Sequence, residues 1–379
     1  MLRLAVLSTG RQDWGILRSV CKLASASPDI DLRLFAGGMA LSSEHGRAVD
    51  FMEADGLRPC ELLDFAAGTS STHAQAGAAT SLVGDALVRQ SVDALLLAGD
   101  RFETMAAAVA ATICRVPIVH LHGGEETKGA FDNALRHAIT KLSHLHLVTH
   151  PDHARRVIEM GEDPSAVIVV GAPGLDNLHR PDIPSRAELE ARVGMKLEPP
   201  VVIVTLHPAT LGADPRVEAE AVTLAMNAVE ATYVITLPNN DPGAEVTRAV
   251  LGAAGRASRR VAVESLGERF YWALMKEADA MLGNSSSAVI EAPALALPAV
   301  NVGARQEGRL RGPNVRDVEG RAEPIAQALA SVLEPSFRKS IAAESVRLFG
   351  DGHAGEKIIA VLRGWTPPRP ATKHHHSAR

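Results

Sequence analysis

The sequence predicts an α/β protein made of two doubly wound, mostly parallel sheets. Three observations predict it. Short β-branched or Leu-rich runs alternate with helix-length segments, the pattern of βαβ units. A Gly- and Pro-rich stretch interrupts that alternation once, after which it restarts. Four apolar runs end in charged or hydroxylic clusters: Gly99-Asp100-Arg101-Phe102-Glu103, His122-Gly123-Gly124-Glu125, His207-Pro208 and Gly283-Asn284-Ser285-Ser286-Ser287. Open α/β sheets bind ligands at the carboxyl ends of their strands, so several such ends point to a shared crevice.

The first set of strands is read at residues 2–7, 31–35, 94–98, 118–122, 144–148 and 166–170. The character changes at Gly171-Ala172-Pro173-Gly174, and Pro181, Pro184, Pro199 and Pro200 follow, which marks a domain connection. The second set is read at 201–206, 233–237, 260–264, 280–282 and 299–302, with a final helix at 356–363 after Gly350-Asp351-Gly352. The expected domains are therefore 1–171 and 172–365, followed by a Pro-, basic- and His-rich tail at 366–379 expected to be disordered. Two Rossmann-like halves facing each other form an interdomain cleft, a standard place for a small ligand.

Composition narrows the function. Of 379 residues, 46% are apolar, enough for two buried cores. A net charge of −5 argues against a nucleic-acid or anionic-membrane binder. Cys21, Cys60 and Cys114 are widely spaced and odd in number, which fits neither a disulfide framework nor a metal spacing and suits a reducing cytoplasm. The first apolar run stops at Ser8-Thr9-Gly10, too early for a secretory signal. The longest apolar stretch, 106–114, is far short of the roughly 20 residues that span a bilayer.

The strand-end residues divide by chemistry. Gly283–Ser287 lies between a strand and a helix-like run, where small residues admit a phosphate to backbone N–H groups. A plain N-cap would look similar, but Arg305, Arg309 and Arg311 follow the next strand, and guanidinium suits phosphate. There is no G-x-x-x-x-G-K-[ST] and no G-x-G-x-x-G, so a Walker ATPase or ordinary dehydrogenase is unsupported. Asp100, Glu125 and Asp132 can divide acid and base roles if their environments separate them. Glu103 and Glu126 read instead as acidic decoration of helix starts. Histidines crowd positions 120–153, and His144 and His146 share a strand face. Their number suggests zinc, but no H-E-x-x-H signature occurs, and hydrogen-bonded core or cleft histidines are the preferred reading. No G-x-S-x-G elbow supports a serine nucleophile.

These motifs, with Arg136-His137-Ala138-Ile139-Thr140-Lys141-Leu142-Ser143-His144, Gly161-Glu162-Asp163-Pro164, Pro238-Asn239-Asn240-Asp241-Pro242-Gly243, Glu291 and Arg305-Gln306-x-Gly308-Arg309, resemble the hydrolysing UDP-N-acetylglucosamine 2-epimerases. The resemblance runs from Gly10-Arg11 to Gly350-Asp351-Gly352, and the opening Arg11-Gln12-Asp13-Trp14 is closer to the hydrolysing branch than to its non-hydrolysing sisters. It implies the GT-B architecture and a UDP-linked 2-acetamido sugar as substrate, in nonulosonate (sialic-acid-type) synthesis. It also implies a cytoplasmic homo-oligomer, dimer or tetramer. By position, Arg11, His207, Ser285, Ser286 and Arg305 would hold the diphosphate and Glu291 the ribose. Asn239 and Asp241 would lie near the nucleotide or domain interface. Asp100, Arg101, Glu125 and Asp132 would surround the sugar, and His207 would join them in catalysis.

The implied chemistry is loss of the C2 proton with departure of UDP, then addition of water at C1 and reprotonation of the opposite C2 face. Carboxylates stabilise the oxocarbenium-like sugar, and Arg and His stabilise the leaving diphosphate, so neither metal nor nicotinamide is required. Two positions depart from the family pattern. Ala40 stands where a His is usual, with His45 as a candidate substitute, and Asn133 stands where a second Asp is usual. A GT-B glycosyltransferase and a nucleotide-sugar-binding regulator remain alternatives.

Overall fold

A computed structural model describes residues 1–376 except 44–45, 70, 129–131, 209–213, 239–242 and 346, with the side chains of 342–345 also set aside. The chain divides into two compact units. The first is Met1–Glu125, Asp132–Asn177 and Gly350–Arg379; the second is Glu126–Phe131 and Leu178–Phe349.

The first unit holds β1 (Leu2–Ser8), β2 (Ile30–Gly37), β3 (Glu61–Leu63), β4 (Ala94–Ala98), β5 (Ile118–Leu121), β6 (Leu145–Val148) and β7 (Val167–Val169). They form one sheet in the order β3-β2-β1-β4-β5-β6-β7, every pair parallel. Parallel sheets are covered on both faces, which requires strands apolar throughout. In β1, Leu4 and Val6 enter one core while Ala5 and Leu7 enter the core on the opposite face. Leu96 and Ala98 of β4 divide from Leu95 and Leu97 in the same way.

The second unit holds β8 (Val201–Thr205), β9 (Thr232–Thr236), β10 (Arg260–Val263), β11 (Ala280–Gly283), β12 (Ala299–Val302) and β13 (Val315–Val318). Its sheet is also parallel, in the order β10-β9-β8-β11-β12-β13. In each sheet the strand order reverses direction beside the first strand, β1 or β8. That is the topological switch point where α/β folds take ligands.

The chain passes into the second unit between Asn177 and Leu178 and returns at Gly350. The closing helix, Ala354–Gly364, belongs with the first unit rather than with the second, where the sequence reading had placed it. The physical reason is an apolar stripe: Ile358, Ile359 and Leu362 join the core that helix Arg11–Ala26 covers. Asp176 caps its start, accepting from Ala354 N at 2.8 Å and Gly355 N at 2.7 Å. The tail is also placed as far as residue 376: Arg369 pairs with Asp93, Lys373 with Glu162, and His376 N donates to Gly161 O at 2.9 Å. Among the described residues no helix is long and apolar enough to cross a membrane.

Candidate active site

In the first unit, one largely buried polar network joins the ends of β4, β5 and β6. At the end of β1 the chain turns at Thr9-Gly10 into helix Arg11–Ala26. Asp13, in its first turn, accepts from Thr9 N at 2.8 Å and Thr9 Oγ1 at 2.6 Å, which fixes the turn. Burial raises the Asp13 pKa, opposed by the Thr9 hydrogen bonds and the charge of Arg101. Arg11 is the first residue of that helix, and its guanidinium packs against Gly46, where a Cβ would come within 3.0 Å of Nη1.

Gly99 ends β4 at φ +81 and delivers Asp100. The Asp100 carboxylate accepts from Arg136 Nη2, and the Arg136 side chain is only 2% exposed. Arg136 Nη1 also donates to Glu125 O at 2.9 Å and Asn133 Oδ1 at 3.1 Å. One guanidinium thus joins the loop after β4, the loop after β5 and helix Asp132–Leu142. Arg101 turns to the buried Glu103, at 3.2 Å. Glu103 is therefore more than decoration of a helix start: burial gave it a partner.

The loop after β5 is held by backbone geometry. His122 sits at φ +64, uncommon for a residue with a Cβ. Gly124 has φ +78, and a Cβ there would lie 2.4 Å from His153 O, so only glycine fits. Glu125, 5% exposed, accepts at Oε1 from Thr149 Oγ1 at 3.2 Å and bonds His122 Nδ1 at 2.7 Å. Thr149 Oγ1 lies 2.8 Å from His153 Nδ1. Having given its proton to Glu125, that hydroxyl accepts from the imidazole. His120 Nε2 lies 2.9 Å from Gly99 O.

Burial holds two of these imidazoles neutral: it pushes His120 down to about 3 and His153 to about 4, with Gly99 O and Glu125 respectively opposing. A folded-state pKa below the ordinary 6.5 means the unfolded chain binds more protons between those values. Stability is therefore expected to fall as pH drops from 6.5 toward 4, by about 1.4 kcal/mol per pH unit for each histidine. Urea midpoints across that range test this, with His120→Gln and His153→Gln each flattening the slope. An unchanged slope in both variants would contradict it.

The other sequence-predicted residues of this unit fall as follows. Asp132 is half-buried as the first residue of its helix. Ala40 is fully buried in the apolar core, and its N–H donates to Thr9 O at 2.9 Å. His45 lies outside the described residues. His146 Nε2 bonds Glu162 at 2.9 Å and His144 Nδ1 accepts from Ile118 N at 3.2 Å, so both have structural partners. Sequence reasoning gave no role to Arg136, His122, Thr149 or Asp13. The signal for Arg136 was its spacing: three residues beyond Asn133 and four beyond Asp132, on one helix face.

In the second unit, the ends of β8 and β11 are stitched together at the switch point. Gly283 has φ +132, and a Cβ there would lie 2.0 Å from Thr205 O. Asn284 then clamps the next turn: His207 N donates to its Oδ1 at 2.7 Å, and its Nδ2 donates to His207 O at 2.8 Å. Asn284 O accepts from Gln306 Nε2 at 2.7 Å and Arg305 Nη1 at 3.3 Å, which ties in the loop after β12. Burial, with Arg305 nearby, pushes His207 down to about 3, leaving a neutral imidazole.

Ser285 Oγ accepts from Ser287 N at 3.3 Å, and Ser286 precedes helix Ser287–Ile290, which Glu291 closes. That helix has four residues, shorter than the sequence reading assumed. Its dipole adds little, so the chemistry this turn offers is that of its hydroxyls and of Arg305, which donates to Asn284 O. Arg311 is committed elsewhere, to Asp317 and to Gln306 O. Asn239 and Asp241 lie outside the described residues.

Comparison with known proteins gives one consistent answer. Residues 22–363 match the family model described as UDP-N-acetylglucosamine 2-epimerase. A UDP-N,N'-diacetylbacillosamine 2-epimerase (hydrolyzing) of Legionella pneumophila is 34% identical over 96% of this chain and 96% of its own. Polysialic acid biosynthesis protein P7 of Escherichia coli is 29% identical over 93% and 94%. The crystal structure of UDP-GlcNAc 2-epimerase from Neisseria meningitidis bound to UDP-GlcNAc has a TM-score of 0.83 and 18% identity, covering 96% of this chain and 100% of that one. At that identity it speaks for the fold: two parallel-sheet Rossmann-like domains of GT-B type.

Proposed function

The chain belongs to the UDP-N-acetylglucosamine 2-epimerase family, and from that premise we propose that it is a hydrolysing 2-epimerase. It takes a UDP-linked 2-acetamido sugar and releases UDP and the free C2 epimer. The observation that carries the reading is the Arg136 hub, which ties the Asp100 carboxylate to the loop bearing Glu125. Paired carboxyl groups at strand ends suit a reaction that removes a proton at C2 while positive charge grows at C1. Asp100, Arg101, Glu125 and Asp132 are assigned to the sugar. Arg11, His207, Ser285, Ser286 and Arg305 are assigned to the diphosphate, and Glu291 to the ribose. Asn239 and Asp241 stay, by resemblance, near the nucleotide or the domain interface.

For the sugar itself, the Legionella relative favours UDP-N,N'-diacetylbacillosamine beside UDP-GlcNAc. The reading carries a cytoplasmic homo-oligomer that needs no metal or nicotinamide. Unbridged Cys21, Cys60 and Cys114 suit that compartment.

Incubation with each of the two UDP-sugars in D₂O, followed by proton NMR, tests the proposal. The expected products are UDP and a free epimerised sugar carrying one deuterium at C2. A UDP-linked epimer would assign the non-hydrolysing reaction. A free sugar with its original C2 proton would mean plain hydrolysis, and turnover only with a sugar acceptor would mean a glycosyltransferase.

Arg305→Ala is expected to weaken UDP binding by about 1.5–3 kcal/mol, roughly 10–150-fold, as loss of a charge-assisted hydrogen bond does. Ser286→Ala is expected to weaken it less, since a hydroxyl carries no charge. Titration calorimetry with UDP measures both, and unchanged affinity in Arg305→Ala would place the diphosphate elsewhere.

A further inference from the structure

His122 stands out within the network around Glu125. Its backbone is held at φ +64, between the end of β5 and the Gly123-Gly124 pair. Such conformations persist where surrounding structure enforces them, and they concentrate at functional sites. Nδ1 lies 2.7 Å from Glu125 Oε1, the oxygen that Thr149 also contacts. The opposite nitrogen, Nε2, is buried and has no hydrogen-bond partner among the described residues. His122 Nε2 shares this condition with other buried side-chain atoms, among them His144 Nε2 and His146 Nδ1, but its ring alone of these three is held by Glu125, and catalysis is one recognised explanation of such an atom.

We propose that His122 and Glu125 form a carboxylate–imidazole pair in which His122 Nε2 is the base for the C2 proton. This rests on the 2-epimerase reading and assigns its first step. Glu125, accepting at Oε1, fixes the tautomer with hydrogen on Nδ1, so the Nε2 lone pair is available. When the C2–H bond breaks, its proton goes to Nε2 and its electrons form the C1=C2 double bond. The C1–O bond breaks at the same time, and UDP leaves with that electron pair. The imidazolium so formed lies against the Glu125 carboxylate, which stabilises it, the division of labour of a Ser-His-Asp triad. Thr149, itself bonded to His153 Nδ1, donates to the same carboxylate oxygen.

Nitrogen-15 NMR of histidine-labelled wild-type protein tests the tautomer without any turnover. Hydrogen on Nδ1 and a bare Nε2 at His122 is expected; the reverse overturns the proposal even if the protein proves to be a 2-epimerase. Kinetics supply the second arm. His122→Asn is the suitable variant, because Asn tolerates positive φ. Its kcat is expected to fall about 10²–10⁴-fold with KM and UDP affinity little changed. Added imidazole is expected to restore part of the activity of His122→Ala, which a purely structural histidine would not allow. Near wild-type kcat in His122→Asn, with Glu125→Gln inactive, would return the base role to Glu125. A wild-type protein that leaves both UDP-sugars unchanged would fail the functional reading instead, and the catalytic assignment of His122 with it.

Discussion

Asp100→Asn and Glu125→Gln are each expected to lower turnover by about 10²–10⁴-fold, the usual effect of losing a catalytic acid or base, while UDP affinity stays unchanged. The reason is that both replacements keep the hydrogen-bond acceptors in place, although Asp100→Asn also removes the charge opposite the buried Arg136 and is expected to cost some stability. An amide oxygen at position 100 can still accept from Arg136 Nη2. At position 125 it can still accept from Thr149, and the backbone carbonyl remains bound to Arg136. What disappears is negative charge at two points, and charge is what an oxocarbenium-like sugar and a protonated base both require. The residues proposed for the diphosphate, His207, Ser285 and Arg305, belong to the second unit, far in sequence from either substitution. Turnover measured beside calorimetric UDP titration separates the two effects. Wild-type rates in both variants would remove these carboxylates from the chemistry, and lost UDP affinity would show that they act through the fold.

Most of the two sheets could be read in advance because their strands are buried on both faces and so are apolar throughout. The strands that escaped are β3 and β13. Both lie at sheet edges, and both are short and partly charged: Glu61-Leu62-Leu63 and Val315-Arg316-Asp317-Val318. An edge strand has one paired side and little core to fill, so its sequence resembles a loop. The closing helix was visible as a helix but not as part of the first unit, because an apolar stripe says that something will cover it and not what.

The site divides along the same line. Asp100 and Glu125 were legible because glycines beside them mark strand ends. The two departures from the family pattern have local answers that no motif could supply. Ala40 is sealed in the core with its N–H bonded to Thr9. Asn133 turns its oxygen to Arg136, a contact in which an amide can replace a carboxylate. His122 showed only as one of a crowd of core or cleft histidines, and Arg136 stayed silent because its importance lies in long-range geometry. The partners of Arg136 stand 36, 11 and 3 residues away, and spacing rules reach only the last of these.

Arg136→Ala is expected to cost about 3 kcal/mol of stability and most of the turnover. Breaking a buried ion pair from one side typically costs about 3–5 kcal/mol, because the remaining charge loses its partner in a low-dielectric setting. The lower end applies here, since the Asp100 side chain is 21% exposed and reaches solvent in part. The loss is not purely electrostatic. Glu125 O would also lose its donor, and with it the link that sets the loop after β5 against the loop after β4. Arg136→Lys separates the two contributions. Lysine keeps the charge but not the planar fork, so it can satisfy Asp100 and not Glu125 O at the same time. It is expected to recover much of the stability and little of the turnover. A double-mutant cycle of Arg136→Ala with Asp100→Asn measures their coupling in urea unfolding. Independent, additive effects would show that the pair is incidental, and full activity in Arg136→Lys would show that charge alone, without the fork, positions Glu125.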